Sequence, residues 1–197
     1  MRYSRPRHRR GSRPGQAAQG LVEFALVGGL FFFLVFTVVN ASFFLYGRGA
    51  MQHAADIGVA TIAAEGNCQA ANGGSCQADP AGCTIAGSNA DDVAICRMDQ
   101  AGLSSTPLFT VTQIVVWKQS EQPDGTFTNV TSGCGGPCED VYNLNGTGTT
   151  PWLPAGRNVS PNNADFVKLS ITFQYSLLAT SGSFTMTTSN IFRLEPQ

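Results

Sequence analysis

Two groups of residues in this chain have types and spacings that could do chemistry: six cysteines and a single acid at the leading edge of a long apolar run. Cys68, Cys76, Cys83, Cys96, Cys134 and Cys138 could act as nucleophiles, hold a metal or pair as disulfides. Zinc sites use paired C-x-x-C or Cys/His spacings. Here those spacings are missing, and His53 is the one histidine near the cysteine region. An even set confined to one part of the chain fits disulfides in an oxidising compartment, where six cysteines allow fifteen pairings. Gly133, Gly135, Gly136 and Pro137 make the loop between Cys134 and Cys138 tight and favour that bridge, leaving two bridges among the four earlier cysteines. With all six cysteines so occupied, no thiol is left as a nucleophile. The chain also lacks G-x-S-x-G, P-loop and H-E-x-x-H patterns and has only two histidines, so the sequence predicts no enzyme, no metal and no cofactor. Asp91 and Asp92 lack calcium-loop spacing and fit a helix start. His53 reads as a solvated helix residue. Asn129, Asn145 and Asn158 are sequons whose use depends on the host.

The acid is Glu23. It precedes Phe24, the first of 23 residues up to Tyr46 that carry no charge. As a helix that run covers ~35 Å, enough for a ~30 Å hydrocarbon layer with some tilt. A carboxylate there can reach the interface, where the helix dipole and the upstream arginines favour it. Its second reading is assembly. If the helix leaves the bilayer for a filament, a buried acid needs a positive partner, and the freed N-terminal amine of a neighbouring subunit is one.

Charge is distributed unevenly about this run. Arg2, Arg5, Arg7, Arg9, Arg10 and Arg13 lie in the first thirteen positions, which hold no acid, and the remainder carries a net charge of -7. An Arg-rich flank argues that this end stays in the cytoplasm and the C-terminal part lies outside. No aromatic interleaving supports nucleic acid as a partner. Residues 1–18 are rich in Arg, Pro and Gly and are expected to be a disordered leader. A cleaved secretory signal is a competing reading, with Val39-Asn40-Ala41 as its cleavage site, although the apolar run continues through Phe43, Phe44 and Leu45.

The elements that would position these residues follow from periodicity. Beyond Tyr46 there is no proline until Pro80, and Ala50, Ala54, Ile57, Thr61 and Ala64 recur at helical steps, so one helix is expected over 19–65, ~70 Å long, with its membrane-spanning part at 24–46. Small residues on its outer half permit close packing. Residues 66–88 read as a disulfide-tied loop, and a short helix over 90–101 is expected, capped by Asn89 or Asp91 and closed by Gly102. Leu108 to Trp117 and Thr126 to Val130 form a predicted hairpin about Pro123-Asp124-Gly125. Ser132 to Asn163 reads as an irregular surface loop. Val167, Leu169, Ile171, Phe173, Tyr175 and Leu177 alternate with polar residues, which is the strongest strand signal, and Ser183 to Leu194 pairs with it. The fold class is α+β: a long N-terminal helix whose outer half covers a three- or four-stranded antiparallel sheet in an extracytoplasmic domain, residues 66–197.

The basic leader, the Q-x-L-V-E-F-A-L motif of Gln19 to Leu26, the aromatic and aliphatic run and the Ala-rich continuation resemble the TadE-like minor pilins, or pseudopilins, of the tight-adherence (Flp) pilus, a branch of the type IV pilus family. The resemblance rests mainly on Gln19 to Phe36, with weaker support from Gln52 to Glu65 and from Phe192 to Pro196. It implies cutting by a prepilin peptidase on the cytoplasmic side, between Ala18 and Gln19, which makes Glu23 the fifth residue of the mature chain. Ala18 stands where the family has glycine. It also implies assembly through Glu23 and Phe24, partners among other pilin subunits and the pilus machinery, and work done without catalysis. The alternative from a different class is a bitopic surface protein whose disulfide-tied outer domain binds a ligand or a surface.

Overall fold

The computed structural model describes residues 14–68, 89–146, 148–178 and 181–195, and of residues 14–18 the backbone alone. Helix α1 runs from Pro14 to Glu65, so it begins five residues before the expected start at Gln19. Proline suits a helix start, because its fixed φ is helical and its missing N–H would have no partner there. The chain divides into two compact units, Met1–Ser42 and Phe43–Gln197.

Within the second unit the remaining elements are helix α2 (Ala90–Gln100) and strands β1 (Phe109–Glu121), β2 (Phe127–Asn129), β3 (Glu139–Tyr142), β4 (Gly148–Thr149), β5 (Phe166–Ser176) and β6 (Ser183–Arg193). All strand pairs are antiparallel, in the order β4-β3-β1-β5-β6, with β2 paired to the end of β1. The six strands exceed the three or four expected. The extra two lie in 132–163, which is not the irregular surface loop its composition suggests. β3 pairs with β1 and places Asp140 and Tyr142 in the interior, and Trp152 and Arg157 are buried as well.

The alternation of β5 is realised as expected: Val167, Leu169, Ile171, Phe173 and Tyr175 are buried, and all but Tyr175 and Phe173 are completely so. Each such side chain contributes about 1.5–3 kcal/mol through removal of apolar surface from water. The same register puts Phe184, Met186, Thr188, Asn190 and Phe192 of β6 on that face. On β1 a bulge at Thr112 shifts the register between Val111 and Gln113, and the Thr112 hydroxyl donates to the Thr172 carbonyl at 3.0 Å.

The C-terminal half of α1 covers this face with a stripe that overlaps the one its sequence suggests but is broader and turned from it. The buried positions are Gly47, Met51, Ala54, Ala55, Gly58, Val59, Thr61, Ile62 and Ala63, so of the expected stripe Ala54 and Thr61 are buried, Ala50 and Ile57 are half-buried and Ala64 is exposed. The polar rim of the helix fixes the rotation. Gln52 donates to the Asn190 side chain at 3.0 Å and accepts from Thr188, and Asn190 donates to Asp56. Glu195 N–H donates to the Ala63 carbonyl at 2.9 Å, tying the chain's end to the helix.

α2 starts where expected. The Asn89 side chain accepts from Asp91 N–H and Asp92 N–H at 2.9 and 3.0 Å, and Gly102 follows the helix with φ +102°. The predicted turn also forms, since Thr126 N–H and its hydroxyl both donate to Asp124. The connection between β5 and β6 lies partly outside the described residues.

Candidate functional site

In the first unit the described part of α1 is exposed on all sides. Leu21, Phe24, Leu26, Val27 and Phe33 are each about two-thirds exposed or more, and from Gln19 to Phe43 only Gly28 and Asn40 are even half-buried. A helix that is apolar all round needs an apolar surrounding. Its mean hydropathy of 2.4 over an 18-residue window, none of it buried, makes α1 long and apolar enough to cross a membrane.

The few polar side chains in this stretch are satisfied within the helix itself. The Thr37 hydroxyl donates to the Phe33 carbonyl at 2.8 Å, Asn40 Nδ2 to the Phe36 carbonyl at 2.9 Å, and the Ser42 hydroxyl to the Val38 carbonyl at 2.8 Å. Each bond reaches back one turn to a carbonyl already in the helix ladder, which lowers the cost of placing these polar groups in an apolar surrounding.

Glu23 is different. Gln19 Nε2 donates to Glu23 Oε1 at 3.4 Å, a long and exposed contact one helical turn away. The carboxylate therefore keeps most of its acceptor capacity for a group from outside. Phe24 beside it is 79% exposed, the most exposed large apolar side chain among the described residues. Gln19 and Glu23 thus lie one turn apart on one face of the helix with Phe24 next to Glu23 in the chain, and Ala18 and Gln19 lie in α1 itself.

Of the cysteines, Cys134 and Cys138 form the predicted bridge. Cys68 and Cys96 are both disulfide-bonded, and Cys76 and Cys83 lie outside the described residues. Among the described residues no group of His, Cys, Asp and Glu is arranged to hold a metal ion. His53 is exposed.

One charged cluster escaped the sequence reading. Asp91, in the first turn of α2 as expected, also receives both Nη groups of Arg157, at 2.7 and 2.6 Å, and the Tyr142 hydroxyl at 2.8 Å. Arg157 Nη2 also donates to Asp140 at 3.1 Å, whose other oxygen accepts Trp152 N–H at 2.8 Å. The guanidinium lies 4.6 Å from the Trp152 ring centre, and Arg157 and its two acid partners have fully buried side chains. The one sequence signal was a lone arginine and a tryptophan in a segment otherwise rich in Gly, Pro and Asn.

Two carboxylates share one guanidinium in this interior. Burial alone would lower the Arg157 pKa, but the Asp91 and Asp140 charges hold it above its ordinary value. Burial first, then the Asp91 charge, push Asp140 from 3.8 up to about 6 against the pull of Arg157. Burial and Asp91 likewise raise the Tyr142 hydroxyl. Between pH 3.8 and about 6 the folded protein then binds more protons at Asp140 than the unfolded chain, so this group's contribution to stability falls as pH rises through that window. Asp140→Asn, neutral at every pH, should lack that slope. Urea midpoints of the full chain at several pH values between 4 and 7.5 check this, and parallel profiles for wild type and variant would refute it.

Residues 18–60 match the family model described as TadE-like protein. No curated protein and no solved structure matches the chain. The matched stretch contains Ala18, Gln19, Glu23 and Phe24, all of the exposed apolar helix and the first turns of its packed half. A TadE-like segment associates the chain with tight-adherence pilus systems and with the membrane.

Proposed function

We propose, with this TadE-like segment as the premise, that the chain is a minor pilin or pseudopilin that primes, caps or enters a tight-adherence pilus. The observation that carries the reading is the arrangement of Glu23: a carboxylate held by one weak intrahelical contact, at the leading edge of an apolar helix exposed on every side. In the bilayer the acid sits at the cytoplasmic interface near the Arg-rich leader, and the disulfide-bonded unit lies outside. A prepilin peptidase cuts between Ala18 and Gln19. On transfer into a filament, Glu23 accepts the new N-terminal ammonium of a neighbouring subunit while the Phe24-to-Tyr46 surface packs on other helices. An acid left unpaired there would cost several kcal/mol (~3–5), so one charge pair sets the register between subunits.

Mass spectrometry of the mature protein should find Gln19 at its N-terminus. A mature chain that begins at Met1, or at Ser42 after secretory cleavage, would remove the basis of the proposal. Glu23→Gln should abolish incorporation into pili while the outer unit keeps its disulfides and fold. Undiminished piliation by that variant would favour a bitopic surface protein that never leaves the membrane.

A further inference from the structure

The outer unit contains a second feature that the pilin reading does not use. At one end of the sheet, where Gln119 of β1, Phe166 of β5 and Arg193 of β6 lie side by side in register, there is an open cleft of about 480 Å³ bounded by the loop 160–165. That volume falls in the range of small-ligand sites. Its walls are held firmly. Asp165 accepts from Lys118 Nζ at 2.8 Å and from Asn158 N–H at 2.9 Å, Asn163 N–H donates to the Ser160 carbonyl at 3.1 Å, and Arg193 Nη2 donates to the Pro161 carbonyl at 3.1 Å.

The chemistry of the lining narrows the ligand. Lys118 is committed to Asp165, and the four charged side chains that line the cleft, Lys118, Asp165, Arg193 and Glu121, sum to zero, so the cleft has no net charge to draw an anion or a cation. The lining is predominantly polar, which does not suit an apolar ligand. The side chains that face the cleft with no hydrogen-bond partner of their own are the amides of Asn162 and Asn163, the Ser120 hydroxyl and the Glu121 carboxylate, a mixed set of donors and acceptors on exposed residues. Phe166, half-buried with its ring 4.9 Å from that of Phe127, adds an aromatic surface. Alternating hydroxyls along an edge and a C–H face against an aromatic ring are what a neutral sugar offers to such a set.

We propose that this cleft binds neutral hexose units, through hydrogen bonds from Asn162, Asn163 and Ser120 and contact with Phe166. The inference is independent of the role of Glu23. The test uses the full chain in phospholipid nanodiscs, free of glycoside detergents, titrated by calorimetry with glucose, galactose and mannose, with the neutral hexamers of each, and with oligogalacturonate. Binding of a neutral sugar with Kd on the order of 1 mM or tighter is expected. A hexamer that binds tighter than its monomer identifies a polysaccharide as the source, and equal affinity identifies a free sugar. The Asn162→Ala, Asn163→Ala double variant, confined to an exposed loop, should weaken binding about tenfold or more, while Thr185→Ala, outside the cleft, should not. Failure of every neutral sugar to bind, preference for the uronate, or wild-type affinity in the double variant would each overturn the proposal.

Discussion

Arg157→Leu should lower the stability of the second unit by about 3–5 kcal/mol, a large part of what holds an ordinary domain folded. The substitution removes the positive charge from an interior that retains Asp91 and Asp140, both fully buried. Asp91 would keep only the Tyr142 hydroxyl among its three observed hydrogen bonds to side chains. Arg157→Lys should recover only part of the loss. Arg157 Nε has no partner, so the arginine acts through its two Nη groups, and a lysine ammonium cannot reproduce that planar double contact. Combining Arg157→Leu with Asp91→Asn removes a charge from each side and should be less damaging than Arg157→Leu alone. Urea unfolding of the full chain, followed by tryptophan fluorescence, measures all three, since Trp152 lies against the guanidinium. Wild-type stability in Arg157→Leu would show that the cluster contributes nothing to the fold.

The second large effect separates two glycines two residues apart on the same helix. A Cβ at Gly47 would lie 2.0 to 2.5 Å from three ring carbons of Phe109. That ring has little room to turn, with its centre 5.4 Å from that of Phe173 and 4.9 Å from that of Tyr175. Gly47→Leu should therefore force α1 away from β1 and β5 and cost about 3 kcal/mol, despite leucine's better helix propensity. Gly49 has nothing within 4 Å of its Cβ position and is exposed. There the propensity effect acts alone, and Gly49→Leu should gain up to about 1 kcal/mol. Thermal unfolding of the two variants side by side provides the comparison. Equal effects would mean that the close contact between helix and Phe109 does not form.

The gain of strands over expectation has a local cause. β3 and β4 are four and two residues long and stand among Gly, Pro and Asn, too short to show a period of two. They become strands because the edge of β1 supplies hydrogen bonds to Glu139–Tyr142, and β3 in turn to Gly148–Thr149. The helix stripe was only partly placed for a related reason. In an Ala- and Gly-rich helix several faces are small enough to pack, so periodicity alone does not choose one. The bonds from Gln52 and Asp56 to Thr188 and Asn190, separated from them by more than a hundred residues, make the choice.

By itself the sequence determined the features written in short, repeated patterns: the uncharged run and the acid at its edge, the alternating strand β5 with its partner β6, the capped helix α2, the turn at Asp124 and the Cys134–Cys138 bridge. Each depends on neighbours within a few residues, and the TadE-like signature at 18–60 is of the same local kind. Only the tertiary structure decided which side of α1 meets the sheet, that Asp91 serves Arg157 as well as the start of α2, and that loop 160–165 bounds a cleft over the end of three strands. Those outcomes depend on partners far apart in the chain, and a buried charge or a close-packed glycine acquires its meaning only from what is placed against it.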